Sequence, residues 1–506
     1  MATETPVERV PRRWAALDGL LATGAGLGAG HLAGLVAPGS SPVVAVATRA
    51  IDLTPGPVKD WAVSTFGTND KAVLVIGAIV VTLGLGALVG LVARRSTGSA
   101  LVGVAALIAL ALVAAGADRA RPLLWWVPGL VALLVGGWAL LALVNASRRA
   151  MAPAVLEDPS RRRWLGLALA AGGVGVLGGL LGQGLKASGE QAPVTLPTRS
   201  MTPFPEGLEV QTPGINPFVT ATKDFYRIDV ALEPPSLDTK TWRLSIEGMI
   251  DRPFSIGWDD LLAMDAIERP VTLECVSNEV GGDLIGSARW FGVRTKDLLA
   301  RAGVQAGADM VLSSSADGFS VSTPLQALLD DRDALVVYEM NGAPLPPKHG
   351  FPVRLLTPGL YGFVGATKWL TKMEVTTYAK KQAYWTVLGW SDHGPIKPGS
   401  QIDVPKPGSH VPAGSVRVGG TAWAHGVGVG KVQVRVDGGP WTDAILGPDG
   451  GVEYWRQWLW TWDGTRGDHQ LQVRVVDTNG RPQDDVVVDP FPNGASGLHT
   501  VKVTLT

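Results

Sequence analysis

The apolar residues of this 506-residue chain follow two different patterns, and the change falls near residue 190. Before it, long runs of Ala, Gly, Leu and Val are separated by short polar stretches. After it, apolar and polar residues alternate over short stretches, as in β-strands, or recur at helical spacing. The first part is therefore predicted to be an all-α membrane region, and the second part an ordinary globular region.

About 20 consecutive apolar residues are needed for a helix to cross a bilayer. Five segments in the first part meet that requirement, and the first and last are Gly-rich and less apolar than the others. Their approximate bounds are 14–37, 72–93, 98–116, 123–144 and 163–185. Buried helices of a soluble domain are the alternative. Five such runs joined by short polar loops favour a membrane region at 1–190 with about five transmembrane helices.

Positive charges fall mainly in alternate loops, and this bias predicts the orientation. The richer loops contain Arg9, Arg12, Arg13, Arg94, Arg95, Arg148, Arg149, Arg161, Arg162 and Arg163, whereas the opposite loops contain Arg49, Lys59, Lys71, Arg119 and Arg121. The N-terminus is therefore expected in the cytoplasm. After five crossings, the globular part is expected outside a cell (inner) membrane that the chain spans several times.

The start of the fifth segment, SRRRWLGLALAAGGVGVLGG, combines a twin arginine with a soft apolar stretch. Arg161 and Arg162 fit a Tat-type export signal, and they equally fit a plain positive-inside anchor.

His31 is the only histidine before His349, so the two axial ligands of a membrane haem are lacking. No haem is predicted, and the membrane region is expected to act as an anchor or as a docking site for a redox protein.

The globular part divides into three segments that differ in composition and in the pattern of apolar residues. Residues 191–220 are rich in Pro and Thr and are predicted to be a linker. Residues 221–405 mix strands and helices without a βαβ rhythm, which predicts an α+β domain; Thr295 is the expected N-cap of a helix. Residues 406–506 contain short alternating strands between Gly, Asp and Asn turns, which is typical of an immunoglobulin-like β-sandwich.

Cys275 is the single cysteine, so no intramolecular disulfide can form. It ends a predicted strand and is followed by VSNEVGG. A buried apolar side chain, a nucleophile and a metal ligand are all possible roles for such a thiol. The net charge of −1 gives no indication of nucleic acid as a partner.

Three basic residues further along the chain lie on Gly/Pro-rich stretches. His349 and Arg354 belong to PPKHGFPVRLL, and Lys368 belongs to PGLYGFVGATKWL. Loops of this kind allow backbone N–H groups and cationic side chains to converge on an anion such as phosphate. Each residue alone is a weak signal, since a basic residue on a loop is usually solvated.

As an ordered set these stretches are more specific. TLECVSNEVGGDLIGSARWFGVRTKDLLARAGV, SADG, MNGAPLPPKHGFPVRLLTPGLYGFVGATKWL and GPI resemble the sulfite oxidase family of molybdopterin-dependent oxidoreductases. The resemblance covers about residues 220–405. The C-terminal sandwich resembles the dimerisation domain of this family, which implies a possible homodimer. The membrane part resembles that of membrane-bound bacterial relatives.

This resemblance implies a mononuclear molybdenum bound by one pyranopterin dithiolene (molybdopterin) and by the Cys275 thiolate. A soft sulfur ligand suits such a metal. His349 and Arg354 would hold the pterin and its phosphate, and Lys368 would close on the phosphate with the backbone of Gly365, Ala366 and Thr367. Tyr226 and Arg227, from KDFYRID, would border the catalytic pocket beside Cys275. Because molybdenum cofactor is inserted in the cytoplasm, the resemblance also favours Tat export.

The resemblance implies two-electron oxygen-atom transfer, and two departures from the family pattern bear on the substrate. Sulfite-oxidising members place an arginine shortly after the cysteine, whereas this chain has Glu279, and Thr421 replaces a family tyrosine. A neutral S-oxide or N-oxide, or protein-bound methionine sulfoxide, therefore competes with sulfite as the oxo-substrate. With no CxxCH motif and no second cysteine, electrons are expected to pass to or from another redox protein or a membrane quinone.

Two other classes of protein are open alternatives. One is a Cys-dependent hydrolase or thiol peroxidase, in which Cys275 is the nucleophile and His349 or His393 the base. The other is a membrane receptor that keeps the fold without the cofactor. The presence of Cys275, Arg354 and Lys368 in one chain argues against the receptor.

Overall fold

A computed structural model of the chain describes residues 10–37, 39–66, 70–118, 121–150, 159–188, 194, 196–197 and 203–506. Arg9, Arg119 and parts of the predicted linker (191–193, 195 and 198–202) lie outside these residues. The chain forms two compact units. The first contains the N-terminal helices and Asp229–Ser236, and the second contains Val194–Ile228 and Leu237–Thr506.

Apart from Asp229–Ser236, the described part of the first unit is mainly helical. Its helices are α1 (Arg12–Ala33), α2 (Pro42–Leu53), α3 (Gly56–Phe66), α4 (Asp70–Ala93), α5 (Thr97–Gly116), α6 (Val127–Ala150) and α7 (Pro159–Ser188). The side chain of Ser96 caps α5 by accepting a hydrogen bond from the Ser99 backbone N–H at 3.1 Å. Helices α2 and α3 occupy a stretch that the sequence assigns to a loop.

Four helices in the described residues are long and apolar enough to cross a membrane: Lys71–Ala93, Thr97–Gly116, Val127–Ala150 and Arg161–Gly182. They match the last four predicted spans. The first predicted span, 14–37, overlaps the helix α1, which is less apolar and does not join this group. Five crossings therefore stay a prediction. Since the side on which the globular part lies depends on the number of crossings, the orientation stays a prediction.

Helix α1 is less apolar because it packs against three other helices of the bundle through glycine. A Cβ atom placed on Gly28 would lie 2.5 Å from the Val174 carbonyl oxygen of α7, and one on Gly19 would lie 2.1 Å from the Gly86 carbonyl oxygen of α4. Asp18 is buried on the same helix. Its carboxylate accepts hydrogen bonds from Ser147 Oγ of α6 at 2.7 Å and Trp164 Nε1 of α7 at 2.8 Å, which satisfies a group that would be costly alone.

The second unit begins with mixed strands and helices, as predicted for the α+β domain. Its elements are β1 (Arg243–Gly248), β2 (Phe254–Gly257), α8 (Trp258–Leu262), β3 (Ala266–Glu274), β4 (Ile285–Arg294), α9 (Thr295–Ala302), β5 (Met310–Ser315), β6 (Ser320–Pro324), α10 (Leu325–Leu329), β7 (Leu335–Met340), β8 (Ala343–Pro344), β9 (Arg354–Leu356), α11 (Gly362–Gly365), β10 (Leu370–Thr376) and α12 (Tyr384–Val387).

These strands form two sheets. One has the order β2-β1-β10-β5-β6; in the other, β3-β4-β7-β8, strand β9 also pairs with β7. Asp317 and Gly318 lie in the turn between β5 and β6. Thr295 is not the N-cap of α9, because Arg294 occupies that position. The Thr295 hydroxyl instead donates to the Leu328 carbonyl oxygen at 2.7 Å and joins α9 to α10.

The C-terminal part is a β-sandwich, as predicted. Its strands are β11 (Gly399–Val404), β12 (His410–Val411), β13 (Gly414–Trp423), β14 (Val429–Val436), β15 (Thr442–Asp443), β16 (Ile445–Leu446), β17 (Arg456–Gly464), β18 (Gly467–Asp477) and β19 (Thr500–Leu505). They form the sheets β11-β13-β17-β16 and β12-β19-β18-β14-β15. Alternating valines fill the core between them, among them Val418, Val432 and Val473.

Part of the predicted linker belongs to this unit. The Leu208 backbone N–H donates to Gln457 Oε1 at 2.7 Å, and the Gln457 side-chain amide donates to Glu209 Oε2 at 2.6 Å. Phe218 is almost completely buried, and its carbonyl oxygen accepts hydrogen bonds from Tyr454 and Trp455. The segment leading to Tyr226 is thereby fixed against the sandwich.

Candidate functional site

Cys275 begins a tight loop between the antiparallel strands β3 and β4. Its backbone N–H donates to the Leu284 carbonyl oxygen at 2.9 Å, and its carbonyl oxygen accepts from the Asn278 N–H at 3.0 Å. The buried Asn278 side chain completes the loop by donating to Glu274 Oε1 at 3.0 Å and accepting from the Leu284 N–H at 2.9 Å. Asn278 thus links the Glu274 side chain, just before the thiol, to the backbone at the end of the loop.

The two glycines of the motif allow this loop to pack closely. Gly281 has a φ of +79°, and a Cβ atom at this position would lie 2.3 Å from Nε2 of His499. The His499 ring is fixed in turn, since its Nδ1 accepts a hydrogen bond from the Ile402 N–H at 3.0 Å. The sandwich therefore supports the outer side of the Cys275 loop.

The environment of the thiol favours its neutral form. Burial raises the pKa of Cys275 to about 11, although hydrogen bonds with Ser277 and the positive charge of Lys368 act in the opposite direction. A free thiol with this pKa is protonated at neutral pH and is a poor nucleophile. Coordination to a metal ion would deprotonate it. The site thus suits a ligand better than the nucleophile of a thiol enzyme.

His349 ends a short 3₁₀ turn, Pro347–His349, and Arg354 follows at the start of β9. Gly350 makes their approach possible: its φ is +112°, and a Cβ atom there would lie 3.1 Å from Arg354 Cβ and 3.2 Å from Lys368 Cα. The pairing of β9 with β7 sets the direction of Arg354, which lies opposite Val337. Sequence reasoning grouped these three basic residues, and the fold brings them to one place.

Arg354 is a buried cation, with 5% of its surface exposed. One guanidinium N–H donates to the His349 carbonyl oxygen at 3.3 Å, and the group lies 5.1 Å from the centre of the Trp290 ring. Its Nε is buried and has no hydrogen-bond partner among the described residues. Burial lowers the pKa of Arg354 to about 10. A buried guanidinium with an unused donor requires an anion.

His349 is neutral in this environment. Burial, followed by the positive charge of Arg354, lowers the pKa of His349 to about 4. Its Nε2 lies 2.9 Å from the Thr222 carbonyl oxygen, which fixes this nitrogen as the donor and leaves Nδ1 as the acceptor. A histidine held in this way orients a polar ligand and does not compete with Arg354 for an anion.

Lys368 and the residues before it occupy the next loop. Lys368 Nζ donates to the Ile228 carbonyl oxygen at 3.1 Å, and its charge lowers the pKa of both Cys275 and His349. The backbone N–H groups of Gly365 and Ala366 donate to the carbonyl oxygens of Tyr361 and Gly362. The Thr367 hydroxyl contacts Ser313 Oγ at 2.6 Å. In the structure these three residues thus shape the loop that carries Lys368.

Tyr226 and Arg227 reach the same region from the segment before β1. The Tyr226 ring stacks on Phe225 with 5.3 Å between ring centres. Burial raises the pKa of Tyr226 well above 10.0, the nearby Cys275 raises it further, and Arg354 lowers it. The charge of Arg227 contributes to the lowered pKa of His349. Both residues therefore lie within electrostatic range of the other predicted site residues.

Sequence reasoning missed the buried acid of this region. Glu274 precedes Cys275 and is buried, and burial raises its pKa to about 8 despite the hydrogen bond from Asn278. Glu279, which the sequence placed near a metal, is exposed. Strand alternation would have placed Glu274 and Cys275 on opposite faces, so no pattern in the sequence marked Glu274 as part of the site. Tyr361 was also missed; burial raises its pKa well above 10.0.

A thiol-enzyme site would also need a base near Cys275. His349 is a weak base because its pKa is lowered to about 4, and its Nε2 is hydrogen-bonded to Thr222. His393 is exposed and contacts Asp392 Oδ1 at 2.6 Å. A molybdenum cofactor fits the residues better: Cys275 supplies one sulfur ligand, and Arg354, whose buried Nε lacks a partner in the described residues, is suited to an anionic group of the pterin.

Comparisons with known proteins agree with this chemistry. Residues 231–385 match the family described as the oxidoreductase molybdopterin binding domain. The chain is 31% identical over 309 residues to the mitochondrial sulfite oxidase of Homo sapiens, covering 51% of this chain and 56% of the relative. It is 29% identical over 184 residues to the uncharacterized oxidoreductase YuiH of Bacillus subtilis, covering 36% and 89%.

Among solved structures, the sulfane dehydrogenase SoxCD from Paracoccus pantotrophus matches with a TM-score of 0.49 and 21% identity, over 63% of this chain and 90% of that one. The chain spans about half the length of the mitochondrial sulfite oxidases that it matches. The matched region includes Cys275, His349, Arg354 and Lys368. Residues 231–385 therefore form a molybdopterin-binding oxidoreductase domain that is similar to the corresponding region of the sulfite oxidases.

Proposed function

We propose that the protein catalyses two-electron oxygen-atom transfer at a molybdenum centre bound to Cys275 and one pyranopterin. The observation that carries this proposal is the group formed by the protonated thiol of Cys275, the neutral His349 and the buried Arg354 with its unused Nε donor. An uncharged histidine beside a buried guanidinium suits the polar pterin and its phosphate. Lys368 adds a second positive charge.

Each residue of the site would have its own role. Cys275 supplies the thiolate ligand, and Arg354, His349 and Lys368 orient the cofactor. When bound, the cofactor supplies a metal that accepts or donates an oxygen atom and two electrons. Tyr226 is neutral, because its pKa lies well above 10.0. Its hydroxyl can therefore donate a hydrogen bond to the oxygen of a substrate.

The charge of the loop that follows Cys275 favours an uncharged substrate. The loop after Cys275 contains Glu279 and Asp283, both exposed, and no basic residue. Such a loop attracts a sulfite dianion poorly. We therefore favour reduction of a neutral S-oxide or N-oxide, free or as protein-bound methionine sulfoxide. For a sulfoxide, two protons and two electrons convert R₂SO into R₂S and water.

The membrane unit suggests where this reaction occurs. The arginine bias of the loops and the twin arginine at Arg161 and Arg162 support an extracytoplasmic catalytic domain. This orientation requires α1 to cross the membrane in addition to the four more apolar helices. The electrons would come from a separate redox protein or from a membrane quinone, and the β-sandwich would support a homodimer.

The test is to purify the full chain from a host that makes molybdenum cofactor, and to measure bound molybdenum and released pterin. A screen would follow oxidation of reduced methyl viologen by dimethyl sulfoxide, trimethylamine N-oxide and methionine sulfoxide, and reduction of ferricyanide by sulfite. We expect stoichiometric molybdenum and turnover of a neutral oxide. Metal-free protein whose activity is lost on alkylation of Cys275 would contradict the proposal and support the thiol enzyme.

A further inference from the structure

The membrane unit contains a cavity of about 160 Å³ between α1, α2, α4, α5 and α6. Ala22, Thr23 and Leu27 of α1 line the cavity, and so do Leu107, Ile108 and Ala111 of α5. The same helix α1 packs closely against α4, α6 and α7 at glycine residues. A Cβ atom on Gly26, for example, would lie 2.8 Å from the Ala132 carbonyl oxygen. The cavity is therefore not part of a generally loose bundle.

The lining of the cavity is almost entirely apolar. Of its two threonines, Thr82 donates its hydroxyl hydrogen bond to the Ala78 carbonyl oxygen of its own helix at 2.7 Å. A buried water needs two to four polar partners, and an apolar cavity of about 150 Å³ instead takes up a small hydrocarbon. Water is thus a poor occupant of this site, and several carbons of an apolar chain are a good one.

The cavity also has an opening toward the surface of the helical unit. Val81 of α4 and Leu110 of α5 line it, and these side chains are 62% and 59% exposed. Both helices are apolar enough to cross a membrane, so the exposed surfaces around the opening are suited to contact lipid tails. A chain in the surrounding bilayer could enter sideways without passing through water.

We infer that this cavity binds one hydrocarbon chain of a membrane lipid between α1 and α5. The chain could belong to a phospholipid or could be the isoprenoid tail of a quinone, since both offer the same apolar surface. Because the lining is almost entirely apolar, recognition rests on the chain alone. The inference is independent of the reaction proposed for Cys275.

The test compares two Ala→Phe variants of the full-length protein. Ala111→Phe places a ring in the cavity, whereas Ala109→Phe places it on the exposed side of the same helix. Each protein is washed in delipidating detergent, and the retained lipid is extracted and identified by mass spectrometry. We expect the wild type and Ala109→Phe to retain several-fold more lipid than Ala111→Phe. Phospholipid or quinone in the extract identifies the source of the chain, and equal retention in all three proteins overturns the inference.

A second measurement does not depend on the folding of a variant. Wild-type protein is reconstituted with a phosphatidylcholine that carries a diazirine in the middle of one acyl chain, irradiated and digested. Adducts on inward-facing residues of α5, such as Ile108 and Ala111, are expected, and excess ubiquinone should reduce them if the isoprenoid tail is the preferred ligand. Adducts confined to outward-facing residues such as Ala109 and Val113 would overturn the inference.

Discussion

The membrane unit and the Cys275 region are held together in different ways. In the membrane unit, glycines bring backbones into contact, as at Gly19, Gly26 and Gly28, and buried polar contacts such as those of Asp18 are few. Around Cys275, buried polar side chains fix the loops, and Asn278 and His349 each bond to backbone atoms. The first arrangement depends on side-chain volume, and the second on the matching of donors and acceptors. Substitutions should therefore disturb the two regions for different physical reasons.

The largest effect is expected at Cys275. Cys275→Ser replaces a sulfur ligand with a poorly matched hydroxyl, so turnover should fall by about 1,000-fold or more, equivalent to about 4 kcal/mol in the barrier. Ser277→Ala is the matched control, because it removes a hydrogen bond to the thiol and retains the sulfur. Activity per protein and circular dichroism would be measured together. Normal turnover in Cys275→Ser would contradict its assignment as a ligand.

Arg354 should affect cofactor binding more than folding. Hydrogen bonds to charged groups contribute about 1.5–3 kcal/mol, so Arg354→Met should weaken cofactor retention by about 10- to 100-fold. No acidic side chain pairs with Arg354 among the described residues. The cofactor-free variant should therefore unfold at the same temperature as the cofactor-free wild type, or at a higher one.

Arg289→Met is the control for this prediction. Arg289 is nearly buried and forms an ion pair with Glu268, with Nε 2.8 Å from Oε1. Its loss would leave a largely buried carboxylate unpaired and should cost about 3 kcal/mol or more. Thermal unfolding of the cofactor-free proteins and retained pterin distinguish the two arginines. Equal destabilisation by both substitutions would argue that Arg354 has a structural role only.

In the membrane unit, Gly28→Ala should destabilise the bundle by about 1–3 kcal/mol, because the added methyl group meets the Val174 carbonyl oxygen at 2.5 Å. Gly77→Ala is matched in chemistry and lies in α4, where a Cβ atom would have no neighbour within 4 Å. It should be neutral or slightly stabilising. Thermal unfolding in detergent would show the difference. Similar unfolding temperatures for both variants would indicate that Gly28 of α1 is not in close contact with α7.

The two regions also differ in what the sequence could predict. The ordered set of motifs that resembles the sulfite oxidase family singled out Cys275, His349, Arg354 and Lys368, although each basic residue alone was a weak signal. The sequence could not predict that Glu274 belongs to the site. Its place there depends on the loop that Asn278 closes and on burial by segments distant in the chain. In the membrane unit, composition predicted the apolar helices. Composition could not show that glycines bring α1 into close contact with three neighbouring helices, since such contacts leave no pattern of apolar residues in the sequence.

The smallest effect concerns acid sensitivity and tests the neutral state of His349. In the folded protein burial lowers the pKa of His349 from its ordinary value of 6.5 to about 4. Below pH 6.5 the unfolded chain therefore binds a proton that the folded protein does not. This contribution to stability is fully present above pH 6.5 and is lost as the pH falls toward 4, by up to about 1.4 kcal/mol per pH unit.

His349→Gln keeps a side-chain donor for the Thr222 carbonyl oxygen and removes the titrating group. The cofactor-free variant should lose less stability between pH 7 and pH 5 than the wild type, with the difference disappearing above pH 7. His469→Gln is the control, because His469 lies in the sandwich and its bond to Asp437 raises its pKa instead. It should not reduce the loss of stability in acid. Identical acid profiles for His349→Gln and the wild type would mean that His349 is protonated as readily in the folded protein as in the unfolded chain, and that Arg354 and burial do not keep it neutral.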